Sequence, residues 1–178
     1  MTVLRTARLV LSELDASDAA FLVALLNDPG FLTRIGDRGV RTEADAQRYL
    51  DDGPRASYAA NGFGLWRVAD GATPVGICGL LRRPGLDHPD LGFALLQAHA
   101  GRGIATEAAA ACLAYGHRDL GLPRIDAITS PGNAGSIHVL TKLGMGFAGL
   151  VTLPGIATQQ RQYVSLAPAD PPTVDVRS

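Results

Sequence analysis

The segment "DLGFALLQAHAGRGIATEA" constrains the fold most, because it joins a predicted strand to a predicted helix through two glycines one residue apart. Glycine at such a junction loses backbone entropy on folding, so its presence indicates a tight turn or a close approach to the backbone. The first N–H groups of a helix have no partner inside it, and the helix dipole adds partial positive charge there. The segment therefore predicts an anion-binding turn over residues 101–105, with Arg102 as a further donor. A plain strand-to-helix connection, with glycines for geometry alone, is the alternative.

Apolar patterning predicts about seven strands. They are "ARLVLSEL", "GFGLWRVAD", "TPVGICGLLRR", "DLGFALLQ", "RIDAITS", "GFAGLVTL" and "QRQYVSLA". The early strands look antiparallel, and only the strand–helix–strand unit around residues 90–130 requires a parallel crossover. The sequence therefore predicts an α+β fold, with a mixed, mostly antiparallel sheet and one central βαβ unit.

Capping and stop signals predict four helices. The first is capped by Asp15 or Ser17 and stopped by Pro29, and the second begins after Thr42 and ends near Gly53. The third is "IATEAAAACLAYGHRDLG", whose apolar positions 104, 108, 111, 112 and 115 share one face. The fourth, "NAGSIHVLTKLG", begins at its asparagine.

Length and composition exclude several classes of protein. A chain of 178 residues with 47% hydrophobic residues fits one domain, predicted over residues 1–167, with a flexible Pro-rich tail over residues 168–178. A net charge of -1 and the lack of a basic cluster argue against nucleic-acid binding. No run approaches the roughly 20 apolar residues of a membrane helix, and the N-terminus does not resemble a signal peptide. We therefore expect a cytoplasmic protein without a membrane partner.

Cysteine and histidine spacing argues against a metal site. Neither Cys78 nor Cys112 shows metal-ligand spacing, and no two histidines are spaced as a metal pair. We expect two buried, reduced thiols and no metal ion. Trp66, in a predicted strand, is expected in the core rather than stacked on a ligand.

Three kinds of phosphate site compete for the glycine turn. A P-loop ends in Gly-Lys-Ser/Thr, which this chain lacks. A dinucleotide fingerprint has a third glycine where this chain has Thr106, but Asp126 follows at roughly the spacing of a ribose-binding acid, which keeps that alternative open. The third is the loop that holds the pyrophosphate of acyl-coenzyme A.

The paired segments "GRGIATEA" and "NAGSIHVLTKLGMGF" resemble the GNAT acetyltransferases, specifically their RimJ/RimL-like branch. The resemblance spans the chain from "TARLVLSEL" to "RQYVSLA". Two positions depart from the pattern: Ala100 stands where Gln or Arg is usual, and "LGMGF" stands for Leu-Gly-Phe. The resemblance implies a three-layer fold in which the fourth and fifth predicted strands splay apart, and the pantetheine arm of acetyl-CoA pairs with the opened edge.

The resemblance also implies which residues bind acetyl-CoA. They are Ala94, Leu95 and Leu96 on the opened strand; Ala100, Gly101, Arg102, Gly103, Ile104, Ala105 and Thr106 at the turn; and Asn133, Ser136 and Lys142 on the following helix. A plain N-cap for Asn133 and a solvated surface position for Lys142 are the alternatives.

Acetyl transfer needs a neutral amine, a hydrogen-bond donor for the oxyanion and a proton for the departing thiolate. By resemblance, Ser136 is the proton donor, because no tyrosine lies in the matching helix. Asp90, where the branch commonly has Glu, is the expected base, with a solvated acid at the start of a strand as the alternative. Glu107 is expected to have a structural role in the first helical turn.

The resemblance thus implies an acyl-CoA-dependent N-acyltransferase that moves acetyl from acetyl-CoA to a primary amine by direct attack. The acceptor would be a protein N-terminal α-amine or a small amine, and the enzyme a monomer or homodimer. A non-catalytic acyl-CoA-binding module and a nicotinamide-dependent oxidoreductase are the alternatives. The segment "NDPGFLTRIGDRGVRTE" is expected to wall the acceptor cleft, and a mobile solvated loop is the other interpretation of its arginines.

Overall fold

One mixed sheet of eight strands forms the centre of the computed structural model, which describes residues 1–168. The strands are β1 (Thr2–Arg5), β2 (Leu9–Glu13), β3 (Leu65–Asp70), β4 (Thr73–Leu81), β5 (Asp90–Leu95), β6 (Arg124–Thr129), β7 (Gly146–Val151) and β8 (Gln160–Leu166). Their spatial order is β1-β2-β3-β4-β5-β6-β8-β7, and β5 and β6 are the only parallel neighbours within the described chain. The predicted α+β class and mostly antiparallel sheet are confirmed. The predicted tail lies, from residue 169 onward, outside the described residues.

Strand β1 is the strand that the sequence pattern missed, and the pattern likewise does not predict the helices Pro29–Arg34 and Ala56–Asn61. It has four residues and pairs antiparallel with β2 at the edge of the sheet, where Leu4 lies opposite Leu11. Four residues give too short a period-two signal to recognise. The predicted fourth and fifth strands are therefore β5 and β6 in chain order.

Within residues 1–168, six α-helices cover the two faces of the sheet. They are α1 (Ala19–Leu26), α2 (Pro29–Arg34), α3 (Glu43–Leu50), α4 (Ala56–Asn61), α5 (Ile104–Arg118) and α6 (Ala134–Lys142). The predicted cap at Thr42 is confirmed, because its side chain accepts a hydrogen bond from the Asp45 N–H at 3.1 Å. In the part of the chain described, no helix is long and apolar enough to cross a membrane.

Two predicted helix ends are wrong. Pro29 does not stop α1, which has already ended; it opens α2, where a proline needs no N–H and Asp28 supplies the cap. Gly53 does not end the second helical region, because the chain continues from α3 through a π-helical turn, Asp51–Arg55, into α4. Gly62, in the left-handed conformation, ends that region instead.

Each face of the sheet carries its own hydrophobic core, which gives the three-layer architecture. On one face α5 packs against β4 and β5, and its buried Ile104 and Cys112 join Trp66 in the larger core. On the other face α1 and α3 pack together over Ile77. Trp66 is 1% exposed and contacts Tyr115 edge to face, so its predicted place in the core is confirmed.

Both cysteines are buried free thiols, as predicted, and their Sγ atoms lie 3.5 Å apart. Burial raises the pKa of the Cys112 thiol well above its usual range. Since the thiolate is the reactive form, these side chains serve the packing between β4 and α5.

Strands β5 and β6 separate almost as soon as they meet. Their pairing is limited to one register pair, Asp90 opposite Asp126, whereas β5 stays paired with β4 along its whole length. The Asp126 N–H donates to the Pro89 carbonyl at 2.9 Å just before the strands diverge. The predicted splayed pair is thus confirmed, and it leaves a gap in the middle of the sheet.

Candidate active site

A cleft of about 720 Å³ opens in the gap between β5 and β6. Its floor includes residues 91–94 of β5, and the end of β6 with the start of α6 forms one wall. The opposite wall is residues 31–38, from α2 and the loop after it, and residues 154–158 close a third side. Part of the segment expected to wall the acceptor cleft therefore lines this cleft.

Backbone groups on one edge of β5 face the gap. The Leu96 N–H donates to the Val75 carbonyl at 3.0 Å, so Leu96 turns its hydrogen-bonding groups towards β4. These groups alternate sides along an antiparallel strand, so those of Ala94 also face β4, whereas those of Phe93 and Leu95 face the gap. The expectation of free backbone groups at Ala94 and Leu96 is therefore wrong. Sequence reasoning missed Phe93 because the register with β4, a tertiary feature, decides which residues face the gap.

The glycine turn between β5 and α5 has the conformation that its sequence indicates. Gly101 and Gly103 have φ angles of +76° and +75°, a left-handed conformation that residues with a Cβ rarely adopt. Helix α5 begins at Ile104 and runs for 15 residues, and no side chain of the described residues caps its N-terminus. Its first N–H groups are therefore available to an anion.

Two arginines flank this turn. Arg102 Nη2 lies 3.2 Å from Asp70 Oδ2, and Arg102 Nη1 lies 3.2 Å from His99 Nδ1. Arg8 donates from Nη1 to the Arg102 carbonyl at 3.1 Å. Sequence reasoning missed Arg8, which is 94 residues away along the chain and has no local signal.

Glu107, in the first turn of α5, ties that helix to the N-terminal strands. It accepts hydrogen bonds from Thr6 Oγ1 at 2.6 Å and from Arg8 Nε at 2.7 Å. The Thr6 hydroxyl and then Arg8 lower the pKa of this carboxyl, against the opposing effect of burial. A carboxylate bonded in this way is an anchor, in agreement with the structural role expected for it.

The start of α6 brings two predicted site residues to the cleft wall. Asn133 Oδ1 accepts a hydrogen bond from the Ser136 N–H at 3.1 Å, so Asn133 is an N-cap. Both residues line the cleft, and the half-buried Ser136 Oγ has no hydrogen-bond partner among residues 1–168. Lys142 lies at the far end of the helix, exposed and away from the cleft lining.

Asp90 lies behind the cleft wall. Its side chain is 0% exposed and accepts a hydrogen bond from Arg83 Nε at 3.1 Å, while Oδ1 has no partner in the described chain. Burial raises the pKa of this carboxyl, and Arg83 partly opposes the shift. Arg83 lines the cleft and Asp90 does not. The alternative of a solvated acid is therefore wrong, and a role as base would require an intervening group.

Asp126 does not suit the ribose role that kept a dinucleotide site open. It is 1% exposed, and it accepts hydrogen bonds from Arg124 Nε at 2.7 Å and from Gln162 Nε2 at 2.7 Å. Its carboxylate is therefore already satisfied within the sheet. The mostly antiparallel topology also differs from the doubly wound sheet of dinucleotide-binding proteins.

Tyr49 of α3 is a cleft residue that no sequence motif indicated. It is half-buried, and its hydroxyl has no hydrogen-bond partner within residues 1–168. Burial raises the pKa of this hydroxyl, and the nearby Arg38 opposes that effect. The side chain therefore offers a neutral hydroxyl at the wall opposite α6.

The histidines have structural surroundings rather than a shared site. His117 is half-buried, with Nδ1 at 2.7 Å from the Leu122 carbonyl and Nε2 at 2.9 Å from Ser165 Oγ, so both ring nitrogens contact the fold itself. In the described part of the chain, no group of three or more His, Cys, Asp or Glu residues is placed to hold a metal ion.

The sequence and the fold identify the family. The sequence model described as "Acetyltransferase (GNAT) domain" matches residues 8–146, and the chain belongs to the GNAT acetyltransferase family. A curated relative, the uncharacterized protein YkkB of Bacillus subtilis (strain 168), is 31% identical over 152 residues. The match covers 83% of this chain and 87% of YkkB.

Two solved structures share the fold. RimL, a ribosomal L7/L12 α-N-protein acetyltransferase in complex with coenzyme A, has a TM-score of 0.80 at 14% identity, over 93% of this chain and 98% of that chain. Mycobacterium smegmatis RimJ in complex with a CoA disulfide has a TM-score of 0.76 at 22% identity, over 89% of this chain and 82% of that chain. At these identities the likeness concerns the fold, and it agrees with the resemblance to the RimJ/RimL-like branch.

Proposed function

We propose that this protein transfers an acetyl group from acetyl-CoA to a primary amine, either a protein N-terminal α-amine or a small amine. The observation that carries the proposal is the edge of β5 that is left unpaired within residues 1–168. There the backbone groups of Phe93 and Leu95 face the gap between β5 and β6, and Phe93 lines the cleft. An amide-containing chain can extend a sheet at such an edge.

The donor would lie along β5 with its phosphates at the glycine turn. The pyrophosphate would accept hydrogen bonds from the open N–H groups at the start of α5, where the helix dipole also favours an anion. The pantetheine amides would pair with the backbone of Phe93 and Leu95. Asn133 and Ser136 line the cleft near the start of α6, on the side where the thioester would lie.

The reaction then needs two proton transfers. The amine nitrogen bonds to the thioester carbonyl carbon, and a β5 N–H stabilises the charge that develops on the carbonyl oxygen. As the carbon–sulfur bond breaks, Ser136 Oγ gives its proton to the thiolate and regains one from solvent. The proton that leaves the nitrogen passes through an intervening group or water to Asp90, whose burial favours the protonated form.

Calorimetric titration with acetyl-CoA tests this proposal, with NADH as the control ligand. We expect micromolar affinity for acetyl-CoA and none for NADH, followed by amine-dependent release of the CoA thiol. Absence of acetyl-CoA binding would contradict the proposal. Binding without thiol release across a broad amine panel would instead indicate a non-catalytic acyl-CoA-binding module.

A further inference from the structure

The lining of the cleft carries more guanidinium groups than carboxylates. Among the residues that the structure describes, four charged side chains line the cleft, namely Arg34, Asp37, Arg38 and Arg83. Three of them are cationic, and the one carboxylate is Asp37. Which charge a substrate would meet depends on how each of these side chains is already bonded.

The carboxylate of Asp37 is already paired with Arg41. Its Oδ1 accepts hydrogen bonds from the Gly39 N–H at 2.8 Å and from Arg41 Nη1 at 3.0 Å. Arg41, which does not line the cleft, is the main cause that lowers the pKa of Asp37 to about 2. Asp37 is thus an ionised carboxylate whose charge is matched by Arg41, and it offers little to an ammonium group in the cleft.

Arg34 and Arg38 have no such partner. Both are exposed, and neither forms an ion pair or a side-chain hydrogen bond with any residue among 1–168. Exposed arginines on a mobile loop would lose conformational entropy on binding an anion, so their use as a binding site depends on how the loop is anchored.

The segment that carries these arginines is fixed at both ends. At its start, Asp28 accepts hydrogen bonds from the Gly30 N–H at 2.8 Å and from the Gln97 N–H at 3.0 Å, which ties α2 to the end of the cleft floor. Phe31 is 4% exposed in the core beneath α1 and α3. At its end, Asn27 Nδ2 donates to the Val40 carbonyl at 2.8 Å. The interpretation as a mobile solvated loop is therefore not supported.

Arg83 adds a third guanidinium, which is held in place by Asp90, a residue outside the cleft lining. Its Nε and Nη2 both lie 3.1 Å from the same oxygen of the fully buried Asp90. Its Nη1 has no acceptor among the described residues, and the side chain lines the cleft. Asp90 therefore fixes the orientation of a guanidinium that still has donors to offer.

Resting on the function proposed above, we infer that the acceptor amine carries a carboxylate, which Arg34, Arg38 and Arg83 recognise. Guanidinium groups match carboxylates in shape and charge, and they keep their charge at any physiological pH. A polyamine would meet three cations in the cleft lining, where the one carboxylate contributed by residues 1–168, that of Asp37, is already paired with Arg41. The acceptor class is an amino acid, whose carboxylate is attached to the carbon that bears the amine, or a peptide with an acidic second residue, whose side-chain carboxylate lies further along the chain.

Acetylation kinetics with matched acceptors test this inference at saturating acetyl-CoA. One pair is the peptide amide Ser-Glu-Ala and its Ser-Gln-Ala counterpart, and the other is serine and serinamide. We expect kcat/KM, expressed per concentration of neutral amine, to be about tenfold or more higher for the carboxylate member of at least one pair, chiefly through KM. The pair that shows the preference identifies whether the carboxylate belongs to a peptide side chain or to an amino acid.

Variants assign the preference to the arginines. The double substitution Arg34→Gln with Arg38→Gln should abolish most of it, and Arg83→Lys, which keeps a cation beside Asp90, should reduce it. Arg118→Gln, at the exposed end of α5, is the matched control and should retain it. Unchanged affinity for acetyl-CoA shows that each variant is folded.

The outcomes separate this inference from the proposed function. Acetylation of all four acceptors without a carboxylate preference would overturn the inference and leave the acetyltransferase intact. A preference that survives in both arginine variants would overturn it as well. Failure to bind acetyl-CoA would instead remove the proposed function on which it rests.

Discussion

The proposed donor and acceptor regions are formed by different chemical groups. The proposed donor region consists of backbone groups, namely the β5 edge, which lines the cleft, and the glycine turn with the start of α5, which lie outside the cleft lining. The proposed acceptor region consists of side chains on α2, α3 and connecting loops. Backbone groups present the same chemistry whatever the neighbouring side chains are, whereas loop side chains can vary without disturbing the scaffold. Under the proposed function, the backbone groups of the sheet would bind the same acyl donor, while changes in the loop side chains would select different acceptors.

Substitution of Gly103 by Val should have the largest effect, and it should act on the binding of acetyl-CoA. Its φ of +75° is unfavourable for a β-branched residue, and the added side chain would stand in front of the first α5 amides. We expect acetyl-CoA affinity to fall about 100-fold because the anion contacts are lost, while the backbone strain of roughly 1–3 kcal/mol lowers the stability of the fold.

Gly71→Val is the matched control. Gly71 has a φ of +61° in the turn between β3 and β4, away from the cleft lining, so it should show similar strain without loss of affinity. Equal loss of affinity in both variants, measured by calorimetry, would mean that Gly103 acts through stability alone.

Removal of the Ser136 hydroxyl should sharpen the contrast between binding and chemistry. Ser136→Ala is expected to lower kcat about 30-fold, less than the upper range for general acids because a thiolate is already a good leaving group. Acetyl-CoA affinity should hardly change. Thr141→Ala, on the same helix but bonded to the Ile137 carbonyl, is the control. Full activity of Ser136→Ala would exclude it as the proton donor.

Asp90→Asn should distinguish a proton acceptor from a residue that only positions Arg83. As an acceptor, Asp90 must be ionised, so kcat should rise with pH through its pKa, which burial raises above the ordinary value of 3.8. In the variant, kcat should no longer fall at acidic pH through that pKa. It should also be about tenfold lower with amines that carry no carboxylate. Unchanged kcat, with a higher KM for acidic amines alone, would assign it the positioning role.

Glu107→Gln should have the smallest effect, on stability rather than activity. The folded-state pKa of Glu107 is below its ordinary value of 4.5, so its contribution is present above that value and is lost as the pH falls through the folded-state pKa. The variant should lose about 1 kcal/mol in the free energy of unfolding at pH 7, since the site is partly exposed, and almost nothing at low pH. Glu43→Gln, on an exposed helical turn, is the control in urea unfolding at both pH values. An equal loss at both pH values would contradict an ionic role.

Local signals predicted much of the fold and of the donor end. The glycine turn, the Thr42 and Asn133 caps and the parallel crossover each depend on residues close together in the chain. Burial of Asp90, the pairing of Arg8 with Glu107 and the choice of Phe93 over Ala94 depend instead on register and on partners far along the chain. Helix ends at Pro29 and Gly53 went wrong because proline suits a first turn and a π-helical turn can carry a chain past a glycine.

The single register pair between β5 and β6 has a consequence for the molecule as a whole. It divides the sheet into one part formed by β1 to β5 and another formed by β6 to β8. Helix α5 packs on strands of both parts and so joins them across the gap. Among the described residues, β5 and β6 form no further register pair with each other beyond Asp90. An amide chain lying along Phe93, as proposed for the pantetheine of acetyl-CoA, would supply the strand-like hydrogen bonds that β5 lacks on this edge and would thereby extend the sheet into the gap.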